Sequence, residues 1–112
     1  MNRYQILIEY EGTLYNGWQI QKKGKSIQEN IEIVLSKLLK EKIKIYGSGR
    51  TDTGVHAKEQ SAHFDTTNKI IQKDKLLNSL NFFLNKKKIS ILKIKKKNKL
   101  FHSRYSAKER RY

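Results

Sequence analysis

The stretch from Gly47 to Phe64, G-S-G-R-T-D-T-G-V-H-A-K-E-Q-S-A-H-F, gathers three glycines, an arginine, an aspartate and two histidines. Just before it, Ile43 to Tyr46 reads as a short strand. At its far end Lys58 to Thr66 sets Ala62 and Phe64 against Ser61, His63 and Asp65, the period-2 alternation of a second strand with one buried face. Two strands joined in this way make a hairpin with an elaborated tip. Gly47, Gly49 and Gly54 reach backbone angles closed to other residues, so the chain can leave a strand, turn sharply and present Asp52 from a shaped loop. Asp52 is the candidate for chemistry.

Outward from the hairpin the same reasoning covers the chain. Arg3 to Tyr10 alternates Tyr4, Ile6, Ile8 and Tyr10 against Gln5, Leu7 and Glu9, a strand with one buried face. Glu11 to Gly24 has no period and reads as a loop, in which Tyr15 and Trp18 either pack over the sheet edge or offer a face to a base. Ser26-Ile27-Gln28-Glu29 fits a capping box, and Ile27, Ile31, Val34, Leu35, Leu38 and Leu39 continue from it as one apolar helical stripe. Beyond the hairpin, Asn68 to Lys75 is a polar connection anchored by Ile70 and Ile71. Leu76, Leu77, Leu80, Phe83 and Leu84 then mark a second helix fading at Asn85. In the last strand, Ile89, Ile91, Leu92 and Ile94, the phase slips between Ile91 and Leu92, which signals a bulge or burial on both faces. Lys95 to Lys99 reads as a charged turn.

The order β-α-β-β-α-β predicts an α+β, ferredoxin-like lobe over residues 1–99: a four-stranded antiparallel sheet with two helices on one face and the other face free to carry a site. Residues 100–112, L-F-H-S-R-Y-S-A-K-E-R-R-Y after Lys99, begin a further element.

Composition narrows the function classes. No run approaches the roughly 18 to 20 apolar residues of a membrane span, and no apolar leader core opens the chain, so the expectation is a soluble cytoplasmic protein with no membrane partner. Without cysteine there is neither a disulfide framework nor a thiolate metal site, and without proline the turns fall to glycine, asparagine and serine. A net charge of +15 points to a polyanion, most simply nucleic acid, although a coding bias towards lysine, isoleucine and asparagine accounts for part of it. The arginines are more telling. Of five, Arg50 lies in the glycine-rich stretch and Arg104, Arg110 and Arg111 in the last nine residues. The lysine runs Lys86 to Lys88 and Lys95 to Lys97 read as solvated faces that add non-specific attraction.

The run Arg50-Thr51-Asp52-x-Gly54-Val55-His56-Ala57, with Gln60 and A-H-F after it, resembles the core motif of the TruA family of tRNA pseudouridine synthases. The resemblance extends along the chain through Tyr10-x-Gly12, Tyr15-x-Gly17-Trp18-Gln19-x-Gln21, Ser26-Ile27-Gln28, Leu80-Asn81 and the terminal F-H-S-R-Y-S-A-K-E-R-R-Y. It implies isomerisation of uridine to pseudouridine at positions 38 to 40 in the anticodon arm of tRNA, without cofactor or metal, by a homodimeric full-length enzyme. Asp52 then matches the family's nucleophile and Arg50 its base-flipping or carboxylate-pairing arginine. Tyr112 matches the tyrosine that stacks on the target uracil, and Arg104, Arg110 and Arg111 fall to the RNA backbone. A carboxylate suits a reaction that detaches a base and rejoins it through another ring atom, and a nearby guanidinium favours its charged form. Family members are longer, and the chain beyond Tyr112 would supply a second lobe closing the RNA cleft. The expectation is therefore a fragment or decayed gene product, weakly active or inactive alone. Two departures are local: Thr53 stands where alanine is usual, and Leu84-Asn85 replaces Leu-Pro, which would loosen the end of the second helix.

Other readings stay open. Asp52-Thr53-Gly54 spells the D-T-G of retroviral-type aspartic proteases, but their downstream apolar-apolar-glycine signature is missing. A non-catalytic RNA-binding remnant would need only the charge and the sheet. Arg50 could simply pair with a local carboxylate, the terminal arginines could form surface ion pairs, and His56 and His63 read better as ordinary loop or strand histidines than as metal ligands.

Overall fold

Alternation in the first strand sets the geometry of the whole lobe. The computed structural model describes residues 1–11, 26–52 and 57–98, apart from the side chains of 48–52, 57 and 58. Its elements are β1 (Asn2–Glu11), α1 (Ile27–Leu39), β2 (Ile45–Asp52), β3 (Ala57–Thr66), α2 (Lys73–Leu84), a 3-10 turn (Asn85–Lys87) and β4 (Ile89–Lys97). The sheet order is β2-β3-β1-β4 and every pairing is antiparallel, the ferredoxin-like arrangement expected from the sequence.

Register explains the core. Tyr4 lies opposite Phe64, Ile6 opposite Ala62 and Ile94, Ile8 opposite Ile91 and Tyr10 opposite Ile89, while Ile45 continues the row at Phe64. All are buried, together with Ile27, Ile31 and Leu35 of α1 and Leu80 and Leu84 of α2. One sheet face and two helical stripes thus close a single core, each large side chain contributing about 1.5–3 kcal/mol by leaving water. Tyr4 carries a polar tip into it, and its hydroxyl accepts the backbone N–H of Ile70 at 2.8 Å.

Both helices are positioned by local chemistry. Ser26 caps α1: its hydroxyl accepts Glu29 N–H at 3.1 Å, and the Glu29 carboxylate accepts Ser26 N–H at 3.1 Å. Beyond the end of α1, Lys40 takes the left-handed conformation at φ 57°, and Ser36 Oγ accepts Ile43 N–H at 2.9 Å. The Glu41 carboxylate then gathers the hydroxyls of Thr66 and Thr67, the Thr67 N–H and the Asn68 amide, joining the end of α1 to the end of β3. At the exit of α2, Asn85 keeps a helical backbone (φ −62°, ψ −28°) and its N–H bonds Asn81 C=O. The helix runs into the 3-10 turn, Asn85 Oδ1 accepts the Ser90 hydroxyl at 3.1 Å, and Lys88 (φ 63°) turns the chain into β4.

Four boundaries and burials differ from expectation. β2 does not stop at Tyr46 but pairs as far as Asp52, because the glycine-bearing segment forms a bulge rather than a loop. The last strand runs through Lys97 instead of turning at Lys95. Its phase slip is a bulge at Leu92: Leu7 pairs with Lys93 and Ile8 with Ile91, leaving Leu92 extra and exposed. Phe83, placed on the apolar stripe by periodicity, and Ile71, read as an anchor of the polar connection, are exposed at 39% and 82%.

Candidate functional site

The β2–β3 hairpin delivers the motif. From Gly47 opposite Ala62 to Arg50 opposite Gln60, β2 takes three steps where β3 takes two, so one extra residue is inserted ahead of Arg50-Thr51-Asp52. Such a bulge bends the strand and sharpens its twist, which re-aims the residues beyond it. Thr51 then pairs with Glu59, and Asp52, the last residue of β2, pairs with Lys58. The aspartate therefore sits where the ladder closes, with a lysine position across from it and the buried Gln60 across from Arg50. The side chains of Arg50 and Asp52 lie outside the described residues, as do Tyr15, Trp18, His56, Arg104, Arg110, Arg111 and Tyr112.

The sheet face away from the helices is polar and largely self-satisfied. Arg3 grips Asp65 with both ends of its fork, Nε to Oδ1 at 2.8 Å and Nη2 to Oδ2 at 2.9 Å. Those hydrogen bonds hold the Asp65 carboxyl below the usual carboxylate range against the opposing effect of burial, and raise the Arg3 guanidinium further above its own. Gln5 Nε2 donates to Ser61 Oγ at 2.8 Å. Tyr46 stacks on His63 with ring centroids 5.4 Å apart and planes 28° from parallel; His63 is buried, and Tyr46 is 48% exposed. An exposed ring on a helix-free sheet face is a surface on which a nucleobase can stack. Along β4, Lys93, Lys95 and Lys97 stand opposite Leu7, Gln5 and Arg3 on this same face.

The sequence reading missed the Arg3–Asp65 pair and the Tyr46–His63 stack. Both emerge once the outward phase of each strand is placed in register, which alternation alone does not supply. Among the described residues no group of three histidines or carboxylates could hold a metal ion, and no helix is long and apolar enough to cross a membrane.

Comparison with known proteins bears on this hairpin directly. A family pattern described as tRNA pseudouridine synthase matches residues 6–106, which includes the bulge, the Arg50-Thr51-Asp52 segment and both pairing strands. A protein of Pelagibacter ubique named tRNA pseudouridine synthase A is 62% identical over 112 residues, covering all of this chain and 46% of the relative. Proteins of the same name from Neorickettsia sennetsu and Acinetobacter baumannii are 46% and 48% identical, with 45% and 42% of their lengths covered. The chain thus spans a little under half the length of the curated relatives it matches.

Proposed function

Since the chain belongs to the tRNA pseudouridine synthase family, we propose that it provides the nucleophile-bearing lobe of an enzyme that isomerises uridine to pseudouridine in tRNA, at positions 38 to 40 of the anticodon arm. The observation carrying this reading is the match of the family pattern across the β2–β3 hairpin, with Arg50-Thr51-Asp52 standing where the ladder closes. Asp52 is the nucleophile. Its carboxylate attacks either the sugar carbon or the uracil ring, the N1–C1′ bond breaks, and C5 of the uracil takes over the bond to C1′. The C5 proton leaves and N1 gains one, so the reaction balances without redox chemistry or a cofactor.

Arg50 serves base flipping or steadies the carboxylate, and Tyr112 stacks on the extruded uracil, offsetting part of the few kcal/mol that unstacking costs. Arg104, Arg110 and Arg111 meet the RNA backbone. Residues 1–99 form the lobe, and residues 100–112 begin the connection to a second lobe. The complete enzyme works in the cytoplasm as a homodimer. The 112 residues alone turn over slowly or not at all, and turnover at a normal rate would overturn that statement.

The test uses Asp52→Asn in an enzyme of full relative length and an unmodified tRNA transcript. Pseudouridine formation should fall by more than about a thousandfold while tRNA affinity stays within a few-fold. Unchanged turnover would remove Asp52 from the mechanism. If the unsubstituted enzyme binds tRNA but never forms pseudouridine, the RNA-binding remnant is the correct reading.

A further inference from the structure

We propose that Lys93, Lys95 and Lys97 form a phosphate-binding track along the outer edge of the helix-free sheet face, holding the tRNA backbone at a distance from Asp52. This rests on the tRNA reading and adds to it a contact surface on β4. Three observations carry it. First, the register places the three lysines opposite Leu7, Gln5 and Arg3, on the face that carries Arg3–Asp65 and Tyr46–His63, whereas Lys96 pairs with the buried Tyr4. The run Lys95 to Lys97 is therefore a sorted set rather than a uniformly charged patch. Residues two apart on a strand rise about 6.6 Å, close to the spacing of successive phosphates on one nucleic-acid strand.

Second, the carboxylates of this face leave Lys93 and Lys95 unpaired, although Glu9 stands in the row next to Lys93. Asp65 is taken by Arg3, and Glu9 and Glu59 lie opposite one another in the row of Ser90, beyond the Leu92 bulge. Lys93 and Lys95 are exposed, and neither forms an ion pair with another described residue. Third, the bulge is what gives the track its phase. Had β4 stayed regular beyond Ile91, Lys93 would share the inward phase of Ile89 and Ile91, and Ile94 would fall on the polar face. The inserted Leu92 returns Ile94 to the core and places Lys93 outward.

Counterion release supplies the measurement, since each lost phosphate contact removes close to one power of salt from the binding constant. Binding of a labelled unmodified tRNA transcript is followed between about 50 and 200 mM salt. The Lys93→Gln/Lys95→Gln variant should lower the log–log salt slope by about 1.5 and weaken binding about tenfold at low salt. Lys93→Arg/Lys95→Arg should restore both. The control, Lys37→Gln/Lys75→Gln, removes the same charge from exposed helix positions and should leave the slope nearly unchanged. Equal losses in the two glutamine variants would overturn the track and leave net charge as the sole attraction. An unsubstituted chain that does not bind tRNA at all would overturn the tRNA reading as well, so the two failures are distinguishable. All sites are exposed, and unchanged far-ultraviolet dichroism and melting exclude unfolding as the cause.

Discussion

The two edges of the sheet are built alike and used differently. Each is entered through a lysine in the left-handed conformation, Lys40 ahead of β2 and Lys88 ahead of β4. Each then presents one isoleucine whose outward backbone groups are taken by helix side chains, and each is bulged soon afterwards. At β2, Ile45 N–H donates to Glu32 at 2.9 Å, and the Ile45 carbonyl accepts from Gln28 at 3.1 Å. At β4 a single residue does both: Asn81 Oδ1 accepts Ile91 N–H at 2.7 Å, and its Nδ2 donates to Ile91 C=O at 3.0 Å. An unpaired edge is a template for another strand, and these clamps close it without a further strand. Past the bulge the edges diverge, β2 into Arg50-Thr51-Asp52 and β4 into the lysine track. One device, a clamp with a bulge after it, therefore fixes the start of each edge and leaves the rest of the strand free to be re-aimed.

The largest effect should come from the clamp that rests on one residue. Asn81→Ala leaves both Ile91 groups without their partner and should cost about 2 kcal/mol, read as a lower urea midpoint at constant m. At the other edge the work is split between two side chains one helical turn apart, which also bond each other at 3.2 Å. Gln28→Ala and Glu32→Ala should each cost about 1 kcal/mol. The double variant should cost less than the sum, because the shared bond is counted twice. A loss at Asn81 no larger than at Gln28 would break the contrast.

Acid should separate the edges in a second way. Glu41, at the entrance to β2, is held below the usual carboxylate range chiefly by the Thr66 hydroxyl, with Thr67 and Asn68 assisting, and Asp65 is held there by Arg3. For a carboxylate depressed in the folded state, the stabilisation is complete above the unfolded value of about 4 and is lost as pH falls through the folded value. The entrance to β4 is tied by a backbone bond instead, Lys88 C=O accepting Glu11 N–H at 3.2 Å. Between pH 7 and pH 3 the amide protection factor at Ile43 should therefore fall more than that at Ile89, and Glu41→Gln should remove the difference.

Much of this architecture was legible because each core strand obeys one period. Tyr4-Ile6-Ile8-Tyr10 and the Ser26 capping box needed only sequence. The Leu92 slip was legible as an interruption, although only pairing distinguishes a bulge from burial on both faces. The hidden features depend on register or on reach. Asn81 and Glu32 look like ordinary polar helix residues until an edge strand is set beside them. The extension of β2 to Asp52 was hidden by glycines, which suit a bulge as well as a loop. Phe83 misled because the 3.6-residue period marks a stripe and not its width, and Phe83 lies on its exposed margin. At the candidate site the motif itself was the readable part; its place at the closing rung of a bulged edge was not.

The smallest expected effect tests how alike the two entrances are. Lys40 and Lys88 sit at φ 57°, ψ 38° and φ 63°, ψ 35°, where a Cβ crowds the following carbonyl at about 1–2 kcal/mol. Glycine removes that crowding but frees the unfolded chain by about 0.5–1 kcal/mol, so Lys40→Gly and Lys88→Gly should each stabilise by only a few tenths of a kcal/mol. Asparagine, which tolerates this conformation without glycine's freedom in the unfolded state, should do at least as well. At Lys88 the conformation is fixed twice, by its N–H to Asn85 C=O at 3.0 Å and by its own carbonyl to Glu11 N–H. At Lys40 the cap N–H bonds Ser36 C=O, and the carbonyl has no partner among the described residues. The gain from glycine should therefore be larger and more uniform at Lys88, where hydrogen bonds hold both sides of the residue, than at Lys40, where part of the crowding can relax. Thermal midpoints rising more for Lys88→Gly than for Lys40→Gly would confirm that ordering. A fall of about 1 kcal/mol at either, as for glycine inside a helix, would mean that the left-handed turn is not the conformation the lysine holds.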